Sequence, residues 1–223
     1  MTAPEARSFT DAHGIRIFYD VHPARVTPRG VVQLLHGVGE HAGRYGALIA
    51  QLTDAGFTVY ADDHRGHGRT GMAQWNGDAS RLGRLGPGGH RAAVAAVWQF
   101  TQLIRGENPD LPLVILGHSW GSFLTQILVN DHPDAYDAIV LSGSSLRWPG
   151  ALNSGDLNKN WKAPGALGTE WLSSDLTVGQ AFLDDPLTTT TTLPQLFGWR
   201  DVLRLIGKPR KDLGVDPPLL LMV

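Results

Sequence analysis

Ser119 is the residue whose type and neighbours most directly suggest chemistry. It stands in a Gly-x-Ser-x-Gly pattern with Gly117 and Gly121, directly after the apolar run 113–116. A helical pattern follows at once. A serine on a sharp strand-to-helix turn presents its hydroxyl clear of the sheet, where it can attack a carbonyl carbon. The pattern therefore predicts that Ser119 is a nucleophile in acyl transfer.

A second segment has residues suited to stabilising negative charge. Segment 36–41, His-Gly-Val-Gly-Glu-His, follows an apolar strand pattern. Acyl transfer to a serine needs backbone N–H groups aimed at the developing oxyanion. One donor is expected in the residue after the nucleophile and one in the loop after an earlier strand. We therefore expect Trp120 and Val38 to be the oxyanion donors, and His36 and His118 to pack or hydrogen-bond in the floor of the site.

The same glycines allow a dinucleotide-binding interpretation. Segment 37–42 fits G-x-G-x-x-G/A, and Asp62 and Asp63 follow about 25 residues later. His36 is bulky where the tight turn of that motif begins, and an oxidoreductase would leave Ser119 without a role. The dinucleotide-binding interpretation is therefore not favoured.

The loop 60–70 contains two histidines, two aspartates and two arginines. It lacks metal-ligand spacing and is interpreted as structural.

The elements that must position these residues alternate along the chain. Apolar runs at 15–19, 31–35, 57–61, 113–116 and 138–142 predict strands, and helical patterns separate most of them. Such alternation predicts an α/β fold, with a mostly parallel sheet covered by helices on both faces. We expect a core at 1–144, an insertion at 145–206, and a return to the core at 207–223 that ends within a strand.

The insertion at 145–206 differs in composition from the rest. It is rich in Gly, Pro and Thr, has a threonine tract at 188–192, and contains four of the seven tryptophans, which are Trp148, Trp161, Trp171 and Trp199. It is either a long surface excursion or a cap whose aromatic side chains line an apolar pocket, and the cap is favoured. A cap of this kind could also touch lipid surfaces.

Composition excludes several function classes. The chain has 223 residues, of which 42% are hydrophobic and 18% charged, so it should form one globular domain. Its net charge of −2 without a basic run argues against nucleic-acid binding. The absence of cysteine excludes disulfides and Fe–S clusters, and no segment has the apolar length of a membrane span. We expect a cytoplasmic protein without metal or cofactor, in an oligomeric state that the sequence leaves open.

Together the three motifs resemble the α/β-hydrolase family, in the branch of monoacylglycerol lipases, lysophospholipases and serine aminopeptidases. The matching segments are 36–41 with Arg44-Tyr45, 63–68 and 117–121, with weaker matches at 172–175 and 184–187. Family members usually carry methionine where this chain has Trp120. The resemblance implies a serine hydrolase that cleaves carboxylic esters, monoacylglycerol or lysophospholipid-like, through an acyl-enzyme on Ser119.

Two alternatives within this fold stay open. An aminopeptidase would need acidic groups in the cap to hold an α-amine, and Asp175, Asp184 and Asp185 could supply them. A ligand-binding pseudoenzyme would need no complete catalytic triad.

The resemblance also implies a triad acid and histidine that are not visible here. The only histidine after Ser119 is His132, at the far end of the following helix and roughly 18 Å away. Asp212 and Asp216 precede the last strand, at its wrong end for this site. We expect the acid and histidine to lie beyond Val223. We also expect the chain as written to be inactive or nearly so, with an edge at 219–223 that aggregates or binds a partner.

Overall fold

One sheet carries the elements that form the site. In the computed structural model, which describes residues 4–151 and 157–222, its strand order is β1-β2-β4-β3-β5-β6-β7. The strands are β1 Glu5–Thr10, β2 Arg16–His22, β3 Gly30–Leu35, β4 Phe57–Asp62, β5 Leu113–His118, β6 Ala138–Ser142 and β7 Leu219–Met222. Strands β3 to β7 pair in parallel, whereas β2 is antiparallel to both β1 and β4.

The helices lie between the strands and in the insertion. They are α1 Gly46–Asp54, α2 Gly68–Gln74, α3 Gly89–Glu107, α4 Trp120–Asp131, α5 Leu176–Asp184, α6 Leu193–Phe197 and α7 Trp199–Leu203. None of those in the described part of the chain has the length and apolar content that crossing a membrane requires. The mostly parallel α/β sheet predicted from the sequence is confirmed.

The central strands explain where the site forms. Every residue of β3 is buried, because an apolar strand in the middle of a parallel sheet is covered on both faces. Leu35 at the end of β3 pairs with Gly117 near the end of β5. The loop that follows β3 and the turn that follows β5 therefore leave the sheet side by side.

Two features differ from the sequence expectations. Strand β1 was not expected, because Glu5–Thr10 has no clear apolar alternation. Helices α6 and α7 have five residues each, too few to give a periodic apolar pattern. Strand β7 is the last strand of the described sheet, and its four apolar side chains are exposed. Residues 1–3, 152–156 and 223, which the expected core, insertion and final strand included, lie outside the described residues.

Candidate active site

Ser119 occupies a strained turn between β5 and α4. Its backbone has φ +51° and ψ −117°, a conformation that costs a non-glycine residue about 1–3 kcal/mol. Its N–H donates to the Ser142 carbonyl oxygen at 2.9 Å, which ties the turn to β6. A side chain at Gly121 would overlap the Leu35 carbonyl, and one at Gly117 would overlap the backbone of Gly121. Both glycines are therefore required for strand and helix to meet at this turn.

The loop after β3 lies directly against this turn. A Cβ atom at Gly37 would stand 3.3 Å from Ser119 Cβ. The Gly37 N–H donates to Glu40 Oε1 at 2.7 Å, and the Tyr45 hydroxyl donates to the same oxygen at 2.6 Å. Burial, with Glu40 beside it, raises the pKa of Tyr45 far above its usual range, so the hydroxyl stays a donor. The hydrogen bonds to Glu40 thus hold the backbone of this loop beside Ser119.

His36 fixes the peptide that contains the Val38 N–H. His36 Nε2 accepts from the His64 backbone N–H at 3.0 Å, so the ring proton sits on Nδ1, which donates to the Gly37 carbonyl oxygen at 2.6 Å. In a planar trans peptide, this carbonyl and the Val38 N–H point in opposite directions. Burial lowers the pKa of His36 well below its usual value, which keeps the ring neutral. The hydrogen-bonding role expected of His36 is what the structure shows.

The charged loop after β4 hydrogen-bonds to residues that follow β3. Asp63 accepts from the Ala42 N–H at 3.0 Å and from Arg69 Nε at 2.7 Å. Arg65 is fully buried and pairs with the buried carboxylate of Asp11. Within the described residues, no group of acidic or histidine side chains is arranged to hold a metal ion. His64 and His67 each use Nδ1 for a hydrogen bond inside the loop, to Asp62 and to the Arg65 carbonyl oxygen. Asp62 Oδ1, His64 Nε2 and His67 Nε2 are buried without a hydrogen-bond partner among the described residues.

The side chain of Trp120 is a buried packing element. The residue is 1% exposed, and its indole stacks on His67 with ring centroids 5.1 Å apart. His64 approaches it edge-on at 5.4 Å, and Phe197 of the insertion approaches at 5.1 Å. Burial lowers the pKa of His67 to about 4. As the first residue of α4, Trp120 also has a backbone N–H that the helix itself does not use.

The other histidines near the motif have different partners. His118 Nδ1 lies 3.2 Å from the Ser142 hydroxyl. His132, at the far end of α4, stacks on Trp98 with ring centroids 3.6 Å apart. In the part of the chain that the structure describes, no side chain hydrogen-bonds to the Ser119 hydroxyl. The structure therefore brings Ser119, Val38 and Trp120 into one neighbourhood, and none of the described side chains is positioned there as a general base.

Two contacts that the sequence did not predict join the insertion to this loop. His41 Nδ1 accepts from a neighbouring backbone N–H, so Nε2–H donates to Asp185 Oδ2 at 2.8 Å. The Thr189 N–H donates to the Gly39 carbonyl oxygen at 2.9 Å, and a side chain at Gly39 would overlap the Thr189 carbonyl. The weak match at 184–187 was the only available signal. Since Ser119 and Thr189 cover Gly37 and Gly39, neither glycine is open to a pyrophosphate.

The four tryptophans of the insertion are all exposed, and an apolar pocket lined by its aromatic side chains stays a prediction. Trp148, Trp161, Trp171 and Trp199 are 56%, 48%, 39% and 69% exposed. The aromatic side chains that face inward are Phe182, which is buried, and Phe197. Trp199 begins the five-residue helix α7, which buries only a narrow stripe, whereas Trp148 and Trp171 lie in bends or turns between the regular elements.

Comparison with known proteins places this site in a family. The Hydrolase_4 family, described as serine aminopeptidase S33, matches residues 26–215. Monoacylglycerol lipase from Mycolicibacterium smegmatis is 32% identical over 234 aligned residues, which cover 96% of this chain and 76% of that protein.

Solved structures agree on the fold. A thermostable carboxyl esterase from Bacillus coagulans superposes with a TM-score of 0.78 at 21% identity, covering 99% of this chain and 89% of that one. A soluble variant of monoglyceride lipase from Saccharomyces cerevisiae gives 0.75 at 19% identity, with coverages of 99% and 76%. The shared architecture is the α/β-hydrolase fold.

Proposed function

Because this chain belongs to the serine aminopeptidase S33 family of α/β-hydrolases, we propose that it is a serine hydrolase of carboxylic esters. The observation that carries the proposal is the strained turn of Ser119 directly beside the backbone of Gly37. The Mycolicibacterium smegmatis relative is named a monoacylglycerol lipase. We therefore propose small acyl esters, monoacylglycerol or lysophospholipid-like, as substrates.

The mechanism assigns one role to each residue of the site. Ser119 Oγ attacks the ester carbonyl, the Val38 and Trp120 backbone N–H groups receive the oxyanion, and the alcohol leaves with the proton taken from Ser119. Water then attacks the acyl-enzyme and releases the fatty acid. His36 contributes by holding the Gly37 carbonyl, which directs the Val38 N–H away from the histidine.

The general base is proposed to be a histidine outside these 223 residues, held by an acid that is also outside them. The contacts of His118 and His132 support this, since neither imidazole is hydrogen-bonded to Ser119. On this proposal the 223-residue chain has a nucleophile and an oxyanion hole but almost no turnover, because the base is needed to activate the serine.

Adding imidazole as a soluble base tests whether Ser119 is the nucleophile and whether the chain lacks its own general base. We expect the chain to hydrolyse p-nitrophenyl butyrate slowly, and added imidazole to raise the rate through Ser119. The increment over free imidazole should vanish in Ser119→Ala. Equal rates for both proteins at every imidazole concentration would rule out Ser119 as the nucleophile and favour a pseudoenzyme. Fast Ser119-dependent turnover without imidazole would instead contradict the proposal that the general base lies outside these 223 residues.

An aminopeptidase is the second candidate, since the family description names one. The three aspartates that would hold an α-amine all have internal partners. Asp175 caps α5 by accepting from the Thr177 N–H, Asp184 accepts from Gln180 on the same helix, and Asp185 is bound to His41. These contacts favour the esterase. Imidazole-assisted release of p-nitroaniline from an aminoacyl anilide, in preference to ester cleavage, would reverse the choice.

We further propose that 145–206 is a cap over the core, with 207–223 returning to the sheet, and that the cap touches lipid surfaces. Exposed indoles partition into the interface of a bilayer. We expect the chain to sediment with phosphatidylcholine vesicles, and Trp148→Ser with Trp199→Ser to weaken sedimentation severalfold. Unchanged sedimentation of the double variant would contradict lipid contact. A cytoplasmic location is kept as a proposal for cell fractionation to test.

A further inference from the structure

We propose that a second site, in the cleft between α3 and α7, binds a phosphate group. The cleft has a volume of about 630 Å³, within the usual range for small-molecule sites. Arg91 lines it from the core, and Arg200 and Arg204 line it from the insertion. Three arginine residues from two separate parts of the fold therefore line one space.

One carboxylate lies in this cleft, and its charge is already balanced. Asp201 Oδ2 accepts from the His90 N–H at 3.0 Å, at the positive end of the α3 helix dipole. The other oxygen, Oδ1, pairs with Arg204. Asp201 thus leaves the charges of Arg91 and Arg200 uncompensated.

Arg91 and Arg200 have no hydrogen bond or ion pair to any described residue, and both are exposed. Like charges that face each other across a cleft repel unless an anion lies between them. The planar fork of a guanidinium matches the oxygens of a phosphate, and forks from different directions suit its tetrahedral shape. An anion of this kind is therefore the occupant that the charge arrangement favours.

Gly88 lines the cleft at a position that has no room for a side chain. Gly88 has φ +81°, and a Cβ atom there would stand 2.6 Å from His13 Nε2, which lines the same cleft. Any side chain at this position would be strained and would push against the imidazole. The space is larger than a bare ion needs, so the cleft suits a small phosphate ester as well as free phosphate.

A bound phosphate would fasten the insertion to the core near the proposed active site. Phe197 lines the cleft and also packs against Trp120 at 5.1 Å. Fixing α7 against α3 would therefore hold Phe197 over the residue whose N–H is proposed to receive the oxyanion. This consequence rests on the proposed function, whereas phosphate binding itself does not.

Titration calorimetry of the 223-residue chain tests the site without turnover. The probes are inorganic phosphate and sn-glycerol 3-phosphate, with sodium chloride holding the ionic strength constant. We expect Arg91→Gln and Arg200→Gln each to weaken binding about tenfold or more, and Arg84→Gln to change it by less than about twofold. Arg84 is an exposed arginine near the cleft that does not line it. Arg91→Lys, which retains the charge, should recover part of the affinity.

The two probes distinguish the sources of the phosphate. Tighter binding of sn-glycerol 3-phosphate than of phosphate supports an ester ligand, and equal binding supports free phosphate. No heat from either probe up to about 10 mM would overturn the proposal, and so would equal losses in Arg91→Gln, Arg200→Gln and Arg84→Gln. Melting curves verify that each variant is folded. A failed rescue of Ser119 turnover leaves these results unaffected, so the two proposals can fail separately.

Discussion

The core beneath Ser119 and the insertion at 145–206 use polar and aromatic residues in opposite ways. Beneath Ser119, charged and aromatic side chains are buried and tightly partnered, as with Arg65 on Asp11 and Trp120 on His67. In the insertion, the tryptophans are exposed and the helices are short. All nine histidines lie outside the insertion.

The core beneath Ser119 and the insertion meet different requirements of the proposed reaction. A nucleophile and its oxyanion donors must be held to within a fraction of an ångström, which needs rigid, closely packed surroundings. The proposed cap would have to adapt its shape to a fatty acyl chain, and its short helices permit this. The contacts of Asp185 and Thr189 join the two regions at the loop beside Ser119.

A matched pair of glycine substitutions gives the largest expected contrast. Gly121→Ala should destabilise the chain by about 3 kcal/mol or more, because its methyl group overlaps the Leu35 carbonyl. Gly165→Ala in the insertion has open space around the new methyl and should cost only about 1 kcal/mol, for its positive φ. Urea unfolding measures both. Similar losses would mean that the core turn is no more rigid than the insertion.

Acid should weaken the core through its buried histidines. Burial lowers the pKa of His67 and of His90 to about 4, and that of His36 well below 6.5. The unfolded chain binds these protons near pH 6.5, so stability is complete above that pH and falls as the pH drops toward 4. The loss is up to about 3 kcal/mol each for His67 and His90.

The variant His67→Gln isolates one contribution to this slope. Glutamine does not titrate and its amide can still donate to the Arg65 carbonyl, the acceptor that His67 Nδ1 uses. Unfolding free energies at several pH values should therefore depend less on pH in this variant. An unchanged slope between pH 6.5 and 4 would show that His67 is not held neutral by burial.

Asp185→Ala should loosen the junction between the regions while leaving the core stable. Losing the hydrogen bond to His41 should cost about 1 kcal/mol and raise amide exchange at 182–189 and in the loop 37–41. Hydrogen exchange with mass spectrometry measures this. The control is Asp184→Ala, since Asp184 is exposed and, among the described residues, its side chain hydrogen-bonds only to Gln180 of its own helix. Equal exchange in both variants would contradict a role for Asp185 in holding the loop.

The smallest expected effect concerns an exposed tryptophan. Trp199→Ser should change the unfolding free energy by less than about 0.5 kcal/mol, because the side chain is mostly in solvent. Trp120→Leu, by contrast, should cost about 3 kcal/mol through lost packing. Urea unfolding of the two variants sharpens the comparison. If Trp199→Ser lowers the unfolding free energy by more than about 1.5 kcal/mol, the insertion packs more tightly than the exposure of Trp199 suggests.

Much of the core followed from local sequence. The strands β3 to β6 and helix α3 give strong apolar patterns over enough residues to predict them. The exposure of the tryptophans did not follow, since composition cannot say which side chains of an irregular segment face the core. The partners of Asp185 and Thr189 were equally hidden, because both lie more than a hundred residues from the loop that they contact.

By itself, the sequence determined the α/β fold, the strand-to-helix turn at Ser119 and the neighbouring loop at 36–41. These depend on apolar runs and on glycines at fixed spacing, which act over a few residues. Tertiary structure alone decided that His36 holds the Gly37 carbonyl, that Asp185 binds His41, and that Arg91 and Arg200 face one cleft. Those contacts join distant segments, and they exist only once the sheet has fixed where each loop leaves it.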